Sequence, residues 1–248
     1  QFHRGAVPSD EGVLKDVLSE VLIPDNDPNE RDPDSEGRRY NNPVIINEYG
    51  WIWLNRNGTP TTLTDKVYQV VFPEADTPEK RLKVYAKTLG ILTEYWRAHR
   101  KAAAVLHFCG LGYSRPDPPR GQTSDNFIDL KNLTFEPNFC QYVKPAFHPL
   151  GIMIEIWDKT FKPGQMVDVP VHMINDTYEE AQGEMRLSIN AANEIICEEL
   201  VSYDVVKLGK EIYTVAIKMP ERTGEYELVA EISDKGVPVK SIRDFSVK

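Results

Sequence analysis

A carboxylate, a phenol and two indoles stand close together in the segment Pro43-Val44-Ile45-Ile46-Asn47-Glu48-Tyr49-Gly50-Trp51-Ile52-Trp53. The apolar run Val44-Ile45-Ile46 ends just before Glu48, so a short strand would fix the backbone behind that carboxylate. At the carboxyl end of a strand in a βα fold, a side chain reaches the face where active sites lie. A carboxylate there can serve as a nucleophile, a general base or a structural acceptor. Tyr49 adds a hydroxyl, and Trp51 and Trp53 are of the type that stacks on the apolar face of a sugar. A second apolar run, Val105-Leu106-His107-Phe108, carries His107, which can meet a sugar hydroxyl or serve as a structural histidine. No metal and no cofactor is expected. Cys109, Cys140 and Cys197 have neither metal-ligand spacing nor a disulfide pattern. Serine, histidine and aspartate are all present, but no nucleophile elbow is, so acyl transfer has no support.

The elements that must position these residues fall into two classes. Residues 1–148 read as mixed α/β and residues 149–248 as all β, with the two prolines of Pro145-Ala146-Phe147-His148-Pro149 stiffening the joint. Val13, Leu14, Val17, Leu18, Val21 and Leu22 repeat at helical spacing, with Ser9 or Asp10 as cap and Pro24 beyond the end. Thr77 and Pro78 open a longer helix over 77–100, whose stripe is Leu82, Tyr85, Leu89, Leu92, Trp96 and His99. Residues 44–46 and 102–108 are read as buried parallel strands. Helix, strand, helix, strand is the rhythm of a βα barrel or an open α/β sheet. Two strands do not close a barrel, so further strands would have to be supplied. In the second half, Val167, Val169, Val171 and Met173 alternate with polar residues, as do Met185, Leu187 and Ile189, and Tyr226, Leu228, Ala230 and Ile232. Strands are expected near 151–157, 166–174, 183–190, 194–202, 211–219, 224–232 and 239–247. So many short strands in one stretch indicate an immunoglobulin-like β-sandwich. Gly224-Glu225-Tyr226 fits a tyrosine corner.

Residues 43–53 resemble the nucleophile segment of glycoside hydrolase family 2, the β-galactosidase, β-glucuronidase and β-mannosidase group. In that family a short apolar strand of a (β/α)8 barrel ends in a Glu-Tyr-Gly-like motif. The long helix and the Val105–Phe108 run would then be the last helix and strand of the barrel, and a sandwich follows the barrel in relatives. The resemblance implies the end of a (β/α)8 TIM barrel followed by an immunoglobulin-like sandwich. It also implies a retaining mechanism with Glu48 as nucleophile and Tyr49, Trp51, Trp53 and His107 about the sugar. In retaining enzymes a second carboxylate lies within about 5.5 Å of the first. The family's acid/base follows an earlier strand that has no counterpart here, and Asn193-Glu194 falls in the sandwich. The expected partners are therefore a carbohydrate substrate and the remaining amino-terminal part of the same protein, without which the chain is expected to be inactive. Asn47 stands where the family has a small residue, and His107-Phe108-Cys109 where it has a tryptophan. The alternative is a non-catalytic carbohydrate-binding or protein-interaction module that works through the sandwich.

Composition sets the outer bounds. Among 248 residues, 38 Asp and Glu exceed 29 Lys and Arg, and the formal charge of −9 speaks against a nucleic-acid partner. No apolar run approaches the ~20 residues of a membrane helix, so no membrane partner is expected. Asp25-Asn26-Asp27-Pro28-Asn29 with Glu36 echoes a calcium loop, but Glu30 stands at its glycine position, and a solvated acidic loop is the reading. Arg38-Arg39 read as surface salt partners. Residues 113–121 read as a long loop that shapes the substrate site. Asp125 and Asp129 read as caps of a short helix. Asn57, Asn132 and Asn175 begin glycosylation-type triplets, a pattern common by chance.

Overall fold

Ser9 opens the first helix: its hydroxyl accepts the Gly12 amide at 3.1 Å and its carbonyl the Val13 amide at 2.9 Å. A computed structural model describes residues 9–21, 45–46, 48–99, 103–192 and 194–248. The acidic stretch 25–42, with Arg38, Arg39 and the calcium-like spacing, lies outside them, as do Asn47 and Asn193. The chain divides into two compact units, Gln1–Val143 and Lys144–Lys248.

In the first unit, α1 (Asp10–Val21) buries Val13 and Val17. After β1 (Ile45–Ile46) come α2 (Asp65–Val70) and the long α3 (Pro78–His99), then β2 (Ala104–Val105). Thr77 caps α3, its hydroxyl accepting the Lys80 amide at 3.3 Å. Tyr85, Leu89 and Leu92 of the expected stripe are buried, while Leu82, Trp96 and His99 are half-buried. A β-carbon on Gly90 would stand 2.7 Å from the Tyr142 carbonyl oxygen, so glycine lets the π-helical turn Phe139–Val143 lie against α3. The hairpin β3 (Phe127–Asp129) and β4 (Thr134–Phe135) completes this unit.

The expectation of a TIM-barrel segment is corrected by this arrangement. β1 and β2 do pair in parallel, Ile45 with Ala104 and Ile46 with Val105, but among the described residues each strand has two residues and the sheet has two strands. Neither strand is buried: Ile45 is 53% exposed and Leu106, just past β2, 51%. Barrel strands are covered on both faces and bonded on both edges. Most strand structure lies instead in antiparallel sheets of the second unit. Runs such as Val44–Ile46 and Val105–Phe108 have the composition of buried strands, yet composition does not set the length of a ladder. Asp125 and Asp129 cap turns, not a helix. Asp125 Oδ1 accepts the Phe127 amide at 3.0 Å, and Asp129 Oδ1 accepts the Lys131 amide at 2.8 Å within the β3–β4 turn.

The second unit is a β-sandwich. Its strands are β5 (Leu150–Ile154), β6 (Thr160–Phe161), β7 (Met166–Asn175), β8 (Ala181–Ala191), β9 (Glu194–Val205), β10 (Lys210–Lys218), β11 (Gly224–Asp234) and β12 (Val237–Val247). One sheet has the order β10-β7-β5 and the other β6-β12-β11-β8-β9. That order places the first, second and fifth long strands in one layer, as in an immunoglobulin-like Greek key. The core between the layers includes Val169, Val171, Met173, Met185, Leu187, Ile189, Ile217 and Leu228. Tyr226 is a tyrosine corner, its hydroxyl donating to the Arg222 carbonyl at 2.8 Å. β7 departs from simple alternation: His172, opposite the core-facing residues, is also buried, and its Nε2 meets Glu155. Asn175 is fully buried, and its amide donates to the carbonyls of Glu179, Val205 and Val206, so this glycosylation-type triplet is a structural clasp. At the edge, the Tyr213 hydroxyl accepts the Asp204 amide at 2.9 Å and donates to the Asp204 carbonyl at 3.0 Å.

Candidate active site

Glu48 is half-buried and stands two residues beyond the end of β1. The backbone turns at once. Gly50 has φ +69°, and a β-carbon there would come within 2.8 Å of Leu89 Cδ1, so only glycine suits the position. The turn sends Tyr49 inward against α3. Thr93 Oγ1 donates to the Leu89 carbonyl at 2.7 Å, which leaves its lone pairs to accept the Tyr49 hydroxyl, also at 2.7 Å. Trp51 and Trp53 stack on each other with ring centroids 5.7 Å apart and 21° between planes. Trp53 Nε1 donates to the Phe108 carbonyl at 2.6 Å and its ring meets Phe108 edge-on, which ties this segment to the chain just beyond β2. The Tyr68 hydroxyl holds the Ile52 carbonyl and the Thr64 hydroxyl the Trp53 carbonyl. Two carbonyls of an irregular segment thus find side-chain partners where no ladder supplies one.

His107 lies beside Tyr49 and Phe139, with ring centroids 6.4 Å and 6.0 Å away. Burial lowers its pKa below the ordinary 6.5, so the imidazole is neutral at pH 7. Cys109 follows two residues later, half-buried, with its thiol 3.6 Å from the Ser124 carbonyl. Burial raises the Cys109 pKa, and the charges of Asp125 and then Glu48 push it further up. The end of β2 therefore carries a neutral imidazole and a protonated thiol beside the Glu48 carboxylate.

A polar frame holds the loop that follows. Asp125, whose side chain is fully buried, pairs with Arg56 Nη2 at 2.6 Å and accepts the Gly112 amide at 3.1 Å. Asn55, also fully buried, closes the 55–59 turn through its amide, and its Oδ1 accepts the Arg115 amide at 2.9 Å. The Ser114 hydroxyl donates to Asn55 Oδ1 and accepts the Arg56 amide. Arg120 pairs with Asp65, and Gly121 accepts the Thr62 amide at 3.0 Å. Residues 112–121 are thereby fastened to residues 55–65 at several points.

Of the residues singled out in the sequence, Glu48, Tyr49, Trp53 and His107 come together around the ends of β1 and β2. Tyr49, Trp51 and Trp53 are buried, at most 5% exposed, and form a wall whose faces are occupied by other side chains. The sequence singles out neither Asn55 nor Arg56, and assigns Cys109 no place in the site. A polar pair directly after the apolar run Trp51–Leu54 was the available sign of a framework turn. Among the described residues, no group of three or more His, Cys, Asp or Glu is placed to hold a metal ion.

No protein-family model and no curated protein matches the chain. Solved structures that resemble it do so faintly. A cycloisomaltooligosaccharide glucanotransferase from a Paenibacillus species is 10% identical at a TM-score of 0.31, over 39% of this chain and 13% of that one. A β-glucosidase from Listeria innocua is 11% identical at a TM-score of 0.32, over 41% of this chain and 16% of that one. The CARDB domain of a Pyrococcus furiosus protein, in complex with di-metal ions, is 18% identical at 0.32, over 40% of this chain and 91% of that one. Glycosidases are thus among the distant structural neighbours, and the matched region is a small part of each of them. Likenesses of this strength carry no argument for function.

Proposed function

We propose that the first unit carries the nucleophilic carboxylate of a retaining β-glycosidase, Glu48. The supporting observation is its position: half-buried, beyond the end of β1, and near enough to the end of the parallel neighbour β2 for its charge to act on Cys109. A carboxylate in such a place can attack an anomeric carbon and break its glycosidic bond; a second carboxylic acid protonates the departing alcohol, and water then hydrolyses the glycosyl ester that is left. The segment's likeness to the family 2 motif gives the sugar chemistry. In this reading His107 meets the sugar as a neutral imidazole, and Tyr49, Trp51 and Trp53 form the aromatic wall that fixes Glu48. The acid/base carboxylate belongs to sequence outside this chain, so the partner of the site is the rest of a longer protein.

The test is covalent. A 2-fluoro β-glycoside inactivator traps the glycosyl ester, and peptide mass spectrometry of the full-length protein should place it on Glu48. Glu48→Gln should abolish labelling and lower turnover by roughly ten-thousand-fold. Failure to label Glu48 across gluco-, galacto-, manno- and glucurono-configured reagents, or full turnover in the variant, would refute the assignment and leave the non-catalytic reading.

A further inference from the structure

Strand β9 forms one border of the five-stranded sheet: β8 pairs with it on one side, and among the described residues no strand pairs with it on the other. β8 and β9 keep one register from Ala181 opposite Val205 to Ile189 opposite Cys197. In an antiparallel ladder every second residue turns both its N–H and its C=O away from its neighbour. Asp204 is one of these, since the Tyr213 hydroxyl takes both groups. Two, four and six residues earlier, Ser202, Leu200 and Glu198 turn theirs to the same border, where no described residue meets them. Strand β10 of the other layer fastens this stretch at both ends, through Tyr213 and through the Lys218 carbonyl, which accepts the Cys197 thiol at 3.8 Å. Proteins commonly blunt such a border with proline, lysine or a cover. β9 contains no proline, lysine or arginine, and Leu200 at its middle is 55% exposed.

We propose that residues 198–202 are a docking edge for an extended basic peptide, which joins the sheet as a further strand. The inference is independent of Glu48 and of the glycosidase reading. In this mode of recognition main-chain hydrogen bonds supply affinity and the side chains beside them select the partner. Charge selects a basic peptide over a second copy of this chain. β9 carries Glu194, Glu198, Glu199 and Asp204 and no cation, so two such strands side by side would set carboxylates against carboxylates. Arg186 of β8 does not cancel this charge, because it stands 3.8 Å from Glu198 and closer, at 3.3 Å, to Glu231. The incoming strand would place lysine or arginine opposite Glu198 and Glu199. Apolar residues would stand opposite Leu200 on one face and Val201 on the other. Tyr213 already occupies the main chain of Asp204, so the added ladder ends at Ser202.

The probe is a fluorescein-labelled peptide, Thr-Val-Val-Lys-Lys-Thr, titrated against the full chain with anisotropy as the readout. It should bind saturably and more weakly as salt is added, and its counterpart with glutamate for lysine should not bind. In the complex, hydrogen exchange at the Glu198, Leu200 and Ser202 amides should slow by about tenfold or more, while the Glu199 and Val201 amides, which face β8, stay as they were. Leu200→Pro deletes one outward N–H at a position where an edge strand tolerates proline, and should weaken binding by about tenfold, the worth of one hydrogen bond. No binding, equal binding of the glutamate peptide, or unchanged exchange at 198, 200 and 202 would overturn the proposal. So would protection of those amides that grows with protein concentration in the absence of peptide, the mark of a second copy. The wild-type exchange pattern decides it even if the variant fails to fold.

Discussion

The two units solve the same problem, the burial of backbone polar groups, by opposite means. In the sandwich the ladders do it: β8 and β9 pair over eleven positions, as do β11 and β12. Most side chains there are free to fill the core; Ser241 and Arg243 of β12 hold the main chain of Ile154, and Tyr226, Asn175 and Tyr213 are among those that bond to the backbone at corners and edges. Among the described residues of the first unit the strands are two or three residues long, and side chains take over. Thr64, Tyr68, Asn55, Asp125 and Trp53 each bind a main-chain group. A regular sheet spreads its stability over many similar residues. An irregular frame concentrates it in a few polar ones, which is also where a carboxylate such as Glu48 can be left partly open.

This contrast predicts where each unit breaks. The largest effect is expected from Asp125→Ala, which leaves Arg56 without its partner and frees the Gly112 and Phe127 amides. Breaking a buried pair costs about 3–5 kcal/mol, to be read as lost amide protection in the first unit. Leu187→Ala, in the sandwich core, should cost about 3 kcal/mol by cavity formation in denaturant titration. If a polar change in the first unit proves milder than this apolar one, the contrast fails. Tyr226→Phe removes one corner bond and should cost about 1 kcal/mol, far less than the Asp125 change, because the ladders remain.

The smallest effect concerns pH. Burial depresses the folded pKa of His107 below 6.5, so the unfolded chain binds more protons in that window. The stabilising contribution is whole above pH 6.5 and falls away as pH drops through the folded value. His107→Asn should flatten this acid limb of the stability curve, measured by thermal unfolding at stepped pH.

How much of this was legible depends on the period. Alternation at Val169–Met173, Met185–Ile189 and Tyr226–Ile232 marks the sandwich, because in a paired sheet every second side chain enters the core. Helix α3 was legible for the same reason, its stripe and its Thr77 cap agreeing. The first unit was misread as barrel because apolar runs there announce burial without saying what pairs with them. Ile45 and Leu106 are apolar and exposed, while Asp125 and Asn55 are polar and buried. No local pattern reveals that Asp125 meets Arg56, sixty-nine residues away in sequence. Glu48 was singled out by its place after an apolar run. That Cys109 lies within reach of its charge was not legible, since the parallel pairing of β1 with β2 belongs to neither segment alone.

The phenol of Tyr213 has a consequence for the sandwich in a crowded solution. Strand β9 ends its sheet, and an outermost strand offers its bare amides and carbonyls to any passing chain. By occupying both main-chain groups of Asp204, one ring plugs the socket that a stray polypeptide would need at that end of the strand, and so guards the border against unwanted zippering.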